Sequence, residues 1–158
     1  MNKDTYCALP HVHQMARQDG SISLCCNAID LGRQKDSPIK AWSSDYMQKV
    51  RSDLSNGKKI SQCTLCWDRE DKGFSSMRQE ANKEYGMHDS TLATPKYLDL
   101  RLSNLCNLKC RMCHPRQSSQ FEKELKKHSQ IAEKYFPNWE SGYQLTNNKA
   151  VDPSNVIN

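Results

Sequence analysis

The chain has 158 residues, a formal charge of +5, 36% hydrophobic residues and a mean hydropathy of −0.88. That length suits one ordinary domain or two small ones, and so lean an apolar content makes metal sites a useful source of added stability. Scattered Lys and Arg exclude a concentrated nucleic-acid-binding run, and no apolar stretch has the length of a membrane span or a signal core, so the chain reads as cytoplasmic with no membrane partner.

Residues 6–26 read as a β-hairpin turning at Gln18-Asp19-Gly20, with Ser21 to Cys25 on the outgoing strand. His11 and His13 then share one face of the incoming strand, as an exposed pair. Residues 27–41 read as a polar loop. Trp42, Tyr46, Val50 and Leu54 recur at spacing four, so 43–55 is a helix stopped by Asn56-Gly57. Cys63-Thr-Leu-Cys66 falls in a short loop. A second helix covers 68–85, with Phe74, Met77, Ala81 and Tyr85 on one side and Gly86 as its stop.

Residues 87–95 form a polar linker ending in Pro95. Tyr97 to Leu102 alternates with period two and reads as a strand. The loop 103–115 carries Cys106, Cys110 and Cys113. Ser119-x-x-Glu122 suggests a capping box, with Phe121, Leu125, His128, Ala132 and Tyr135 on one helical face. His128 is a face-edge histidine without a role, and 137–158 is a polar tail.

Eight cysteines in a reducing compartment point to metal or redox chemistry rather than disulfides. Cys106-x3-Cys110-x2-Cys113 offers three close thiolates. A 4Fe-4S cluster held at three corners keeps one iron open, and an open position separates a reactive centre from a closed structural one. Directly after a strand, the segment LDLRLSNLCNLKCRMCHP resembles the first barrel strand and cluster loop of the radical S-adenosylmethionine (SAM) superfamily. The resemblance implies that Cys106, Cys110 and Cys113 hold a 4Fe-4S cluster and that SAM fills the open iron. Reductive cleavage then yields a 5′-deoxyadenosyl radical. It also implies that Met112, where the family usually has an aromatic residue, packs near the SAM adenine, and that His114 lies near the cluster without binding it.

Cys7, Cys25, Cys63 and Cys66 give a second four-thiolate set, in the order C-x17-C, a helix, then C-x2-C, with Gly20 at the turn. This resembles the twitch domain, the short form of the SPASM domain, and implies an auxiliary 4Fe-4S cluster. Cys26 is the spare thiol on a regular strand, and a one-residue register shift exchanges its role with that of Cys25. Zinc is the competing occupant of four thiolates.

The expected fold is therefore α+β. A twitch-like unit over 1–86 and a linker over 87–95 precede the start of a radical SAM (β/α) barrel over 96–136 and the tail over 137–158. Residues 114–158, forty-five in all, fall far short of a barrel at about 30 residues per βα unit. No Gly-Gly-Glu-like segment is present. The expected activity is that of the N-terminal part of a radical SAM enzyme. Its partners would be an electron donor such as flavodoxin or ferredoxin, a peptide or small-molecule substrate, and the missing barrel portion as a second chain. The alternatives are a zinc-binding nucleic-acid or protein interaction module and a two-cluster electron carrier.

Overall fold

The computed structural model describes residues 2–18, 20–29, 37–87, 93–101, 103–114 and 117–135. Its elements are α1 (Leu9–Val12), β1 (His13–Ala16), β2 (Ile22–Ser23), α2 (Pro38–Trp42), α3 (Asp45–Ser55), α4 (Thr64–Asp71), α5 (Met77–Tyr85), β3 (Tyr97–Leu100), α6 (Ser119–Lys127) and α7 (Ser129–Tyr135), with a 3-10 turn at Ser61–Cys63 before α4. No helix among the described residues is long and apolar enough to cross a membrane.

The hairpin forms later and shorter than the sequence suggests. Pro10 stands in the first turn of α1, where its fixed φ suits a helix and its missing N–H costs nothing. His11 therefore lies in a helix rather than on a strand. Its ring stacks on Tyr6 at 5.2 Å, while His13 begins β1, and both histidines are buried instead of forming an exposed pair. β1 pairs antiparallel with β2, Met15 opposite Ser23. Its other edge pairs parallel with β3, His13 opposite Tyr97 through Ala16 opposite Leu100. The strand expected to open a second unit thus joins the sheet of the first, in the order β2-β1-β3. All four β1 residues are buried, as befits a central strand.

α3 follows its apolar stripe. Ser44 caps it by accepting from the Met47 N–H at 3.3 Å, and Met47, Val50 and Leu54 face the core. Trp42, expected on the same stripe, belongs to the separate α2, whose first four residues fall in the stretch 27–41 expected to be loop. Gly57 ends the α3 region at φ +93°, and a Cβ there would meet the Asn2 side chain at 2.8 Å. The helix expected over 68–85 is two helices. Gly73, at φ +77°, closes α4 with its N–H on the Glu70 carbonyl, and Phe74 donates to the Arg69 carbonyl at 2.9 Å. Phe74 consequently lies 62% exposed in the connection instead of on an apolar face. A capping box of Ser76 with Gln79 restarts the chain as α5, which ends at Gly86.

The main core gathers Leu9, Leu24, Met47, Val50, Leu54, Ile60, Trp67 and Ala81 around Cys7 and Cys25, beneath α1, α3 and α5. At the C-terminal end, Ser118 rather than Ser119 caps α6, and the chain breaks at His128 before α7. Leu125 and Ala132 remain packed together across that break. Leu102, most of the linker and the tail over 137–158 lie outside the described residues.

Candidate functional site

Four cysteines come from three places in the chain, with Cys7, Cys25 and Cys63 packed in or against the main core. Cys7 precedes α1 and Cys25 follows β2. Cys63 is the N-cap residue of α4, and Cys66 lies in that helix's first turn, not in a loop. All are free thiols; Cys7, Cys25 and Cys66 are buried and Cys63 is half-buried. Burial pushes the Cys7 thiol well above its ordinary value, and the charges of Cys25, Cys63 and Cys66 push it further. Burial likewise raises Cys25 to about 11, with Cys26 and Cys66 adding to the effect, and Cys63 to about 12, with Cys25 and Cys66 adding. Thiols that feel one another in this way are neighbours in a dry setting.

Several groups oppose that burial and favour thiolates. The backbone at Leu9 acts to lower the Cys7 thiol, and the backbone at Asn27 and Ala28 acts the same way on Cys25. Cys63 and Cys66 stand at the positive end of α4, where unpaired N–H groups stabilise anions. The Arg78 guanidinium acts on Cys63 in the same direction. Cys26, by contrast, is exposed, with its sulfur 3.7 Å from Met77 Sδ.

The residues that hold Cys7 in place are ones the sequence reading did not single out. The Asn82 side chain on α5 presents an amide to the backbone on either side of Cys7. Its Oδ1 accepts from the Ala8 N–H and its Nδ2 donates to the Tyr6 carbonyl, both at 2.8 Å. One turn earlier, Arg78 Nη1 donates to the same carbonyl at 2.7 Å, while Nε and Nη2 engage Glu70 at 2.9 and 2.6 Å. On the other side, Arg51 of α3 donates to the Pro10 and Trp42 carbonyls at 2.7 and 2.8 Å. Its guanidinium carbon lies 4.3 Å from the Trp42 ring centroid, and burial lowers its pKa to about 10. Only the Ser76-x-x-Gln79 capping box, one turn ahead of Asn82, marks this region in the sequence.

The second cysteine group follows β3 in irregular backbone. Cys106 and Cys113 are half-buried and Cys110 is exposed. The loop is stitched to the start of α6. Ser119 accepts from the Cys106 N–H at 3.3 Å, Ser118 donates to the Leu108 carbonyl at 2.7 Å, and Asn104 Nδ2 donates to Glu122 at 3.1 Å. Ser119 therefore serves the cysteine loop rather than the helix cap. The Leu108 N–H donates to Cys106 Sγ at 3.4 Å, and the Cys113 N–H to the Cys110 carbonyl at 2.9 Å. An ion pair of Lys109 with Glu124 at 2.7 Å ties the loop's middle to α6. Met112 stands 96% exposed beside it, and His114 is also exposed.

The two groups thus differ. Cys7, Cys25, Cys63 and Cys66 are close enough to act on one another, whereas Cys106, Cys110 and Cys113 are set along one loop. Among the described residues, no three His, Cys, Asp or Glu side chains are gathered as a metal-ion site in either group. No protein family, no curated protein and no solved structure matches this chain. The donor chemistry fits iron–sulfur ligation in kind: free thiols, a backbone N–H donating to the Cys106 sulfur and, for the first group, a helix N-terminus and a buried arginine.

Proposed function

We propose that this chain is the cluster-bearing part of a radical SAM enzyme, with Cys106, Cys110 and Cys113 holding a 4Fe-4S cluster that leaves one iron for SAM. Cys7, Cys25, Cys63 and Cys66 hold an auxiliary 4Fe-4S cluster. The observation that carries the reading is the three-cysteine loop after β3, anchored at its start and its middle to α6 and offering three sulfurs. When bound, the first cluster and SAM supply reductive cleavage of a sulfonium carbon–sulfur bond. The chain's own residues do the rest. Ser118 and Ser119 fix the backbone at Leu108 and Cys106. The Leu108 N–H favours thiolate at Cys106, and exposed Met112 offers a soft apolar contact for an adenine. For the auxiliary site, Asn82 and Arg78 set Cys7, and α4 presents Cys63 and Cys66.

The edge position of β3 supports a barrel continued by further strands. Leu98 and Leu100 are exposed on one side of an edge strand whose outer hydrogen-bonding groups face away from β1. Such an edge is a template for another strand. Catalytic turnover would then require the remaining barrel, as a longer form or a second chain, together with an electron donor of the flavodoxin or ferredoxin kind.

Strictly anaerobic purification followed by iron, sulfide and zinc analysis tests this. The expected content is about eight irons and eight sulfides per chain, falling by about half in either Cys110→Ala or Cys63→Ala. SAM should perturb the reduced cluster's electron paramagnetic resonance signal in the Cys63→Ala variant and leave the Cys110→Ala variant unchanged. Stoichiometric zinc without iron, or an unaltered SAM response in Cys110→Ala, overturns the proposal and favours the zinc module.

A further inference from the structure

Between α5 and the sheet lies a cavity of about 210 Å³, with Cys25 and Cys26 on one of its walls. Its walls include His13 of β1, Tyr97 and Asp99 of β3, and Glu80, Glu84 and Tyr85 of α5. Tyr97 and Asp99 are two residues apart on a strand and so share a face, opposite the face carrying Leu98 and Leu100. That pleat brings an aromatic ring and a carboxylate to the same side, across from α5.

Three features converge on one ligand chemistry. The first is charge. Glu80 is engaged by Ser75 and by Lys83 at 3.2 Å, and Asp99 lies 3.7 Å from Arg101. Glu84, exposed beside Tyr85, has no ion-pair partner among the described residues. The wall is therefore acidic, with one carboxylate left uncompensated. The second is the pair of tyrosines, whose ring faces attract cations. The third is His13, which is only 4% exposed, yet lines the cavity. Its Nδ1 lies 3.2 Å from the Leu24 carbonyl and must donate to it, so the proton sits there and Nε2 is left as an acceptor. No donor of the described residues meets that nitrogen. The ring itself is held against Tyr97, centroid to centroid at 4.9 Å.

An imidazole acceptor facing the cavity, an exposed carboxylate without an ion pair and two aromatic rings around a small volume ask for a group that is cationic, rich in N–H donors and carried on an apolar stem. We propose that this cavity binds a primary ammonium group, borne either by a free alkylamine or by a lysine side chain of a polypeptide. A quaternary ammonium would satisfy the rings but leave the His13 acceptor without a donor, and an alcohol would leave the Glu84 charge unanswered. The volume suits one four-carbon stem rather than a nucleotide or a large metabolite. Cys25 is a wall of the cavity as well as a proposed cluster ligand, but the groups that would recognise the ammonium are His13, Glu84, Tyr85 and Tyr97, which hold no metal in either reading of the cysteines.

The test is a titration of the full chain, isotopically labelled and purified anaerobically with whatever metal it carries, followed by nuclear magnetic resonance at constant ionic strength. n-Butylammonium chloride should shift the Met77 methyl and the Glu84 and Tyr97 amides saturably, and n-butanol should bind at least about tenfold more weakly. Glu84→Gln should weaken butylammonium binding at least about fivefold. Tyr97→Leu, at a half-exposed position that tolerates substitution, should weaken it as well. Acetyl-Gly-Lys-Gly-amide distinguishes the sources. Binding at least as tight as butylammonium assigns a polypeptide lysine, and weaker binding assigns a free amine. Butanol binding as well as butylammonium, or unchanged affinity in both variants, overturns the proposal. Amine binding by a chain that carries zinc and no iron would leave this inference standing while removing the radical SAM reading.

Discussion

Replacing Asn82 by alanine isolates the clamp that sets Cys7. The Asn82 amide makes two 2.8 Å hydrogen bonds to backbone groups of Tyr6 and Ala8, both residues fully buried. The two groups are affected unequally. The Tyr6 carbonyl keeps Arg78 Nη1 at 2.7 Å, so losing Asn82 Nδ2 costs about 1 kcal/mol, the net worth of an ordinary hydrogen bond. The Ala8 N–H has Asn82 Oδ1 as its partner and loses it inside the fold, which costs about 1–3 kcal/mol as an unsatisfied buried donor. Asn82→Ala should therefore destabilise the protein by about 2–4 kcal/mol, a large share of the 5–15 kcal/mol typical of a domain. Urea unfolding followed by far-ultraviolet circular dichroism reads this as a lowered midpoint with an unchanged slope. Asn82→Asp should fall between the two, because it keeps an acceptor for Ala8 and sets a carboxylate against the Tyr6 carbonyl. A loss below about 0.5 kcal/mol for Asn82→Ala would refute the reasoning, since a buried N–H cannot be orphaned at so small a cost.

Two further outcomes are expected. Gln14 is 1% exposed on β1, and both polar atoms of its side chain are without a partner among the described residues, so Gln14→Met should raise the urea midpoint by an amount equivalent to about 1–2 kcal/mol; a lowered midpoint would show that the amide has a polar partner. Burial raises Cys25 to about 11 and Cys63 to about 12, above the ordinary thiol value near 9, so folding of the metal-free chain favours the protonated forms. That contribution is complete below about pH 9 and is lost as the pH climbs toward the folded values, so the metal-free chain should weaken steadily from about pH 9 to about pH 11 in denaturant titrations, and a flat profile in that window would contradict the buried-thiol arrangement.

What the sequence discloses depends on how local the governing interaction is. The α3 stripe of Val50 and Leu54, the Gly86 stop and the alternation of Tyr97 to Leu100 are properties of neighbouring residues, and each corresponds to an element in the structure. Gly73 is an equally local signal, a glycine after Lys72 able to take positive φ, but the apolar spacing of Phe74, Met77 and Ala81 runs across it and reads as one long helix. Pro10 carries similar information for α1. Its preference for a first helical turn outweighs the alternation of His11 and His13, and this moves His11 off the strand. The parallel pairing of β1 with β3 has no local mark, because the two strands are joined through four intervening helices and the pairing is decided by what each buries.

The candidate site divides along the same line. The spacing of Cys106, Cys110 and Cys113 is visible in eight residues of sequence, and so is the C-x2-C of Cys63 and Cys66. That Cys63 and Cys66 sit on a helix N-terminus follows only once the 3-10 turn at Ser61–Cys63 is seen to lead into α4. The clamp on Cys7 is less visible still. Asn82 and Arg78 lie more than seventy residues along the chain from the backbone they hold. Their one-turn separation places both side chains on a single face of α5, and the same helix carries Glu84 to the acidic cavity. α5 therefore links the two assignments made for this molecule: one of its faces orders the backbone around Cys7 while its flank forms the wall opposite Tyr97. Because the Cys7 clamp and the ammonium cavity share this helix, a substitution that shifts α5 should disturb both. Asn82→Ala in the labelled protein should thus move the Glu84 and Tyr97 amide signals as well as the urea midpoint. Glu84→Gln, made on the cavity side without touching the clamp, should leave the midpoint within about 0.5 kcal/mol of its original value. Loss of the midpoint in Glu84→Gln would mean that the carboxylate holds the fold rather than a ligand.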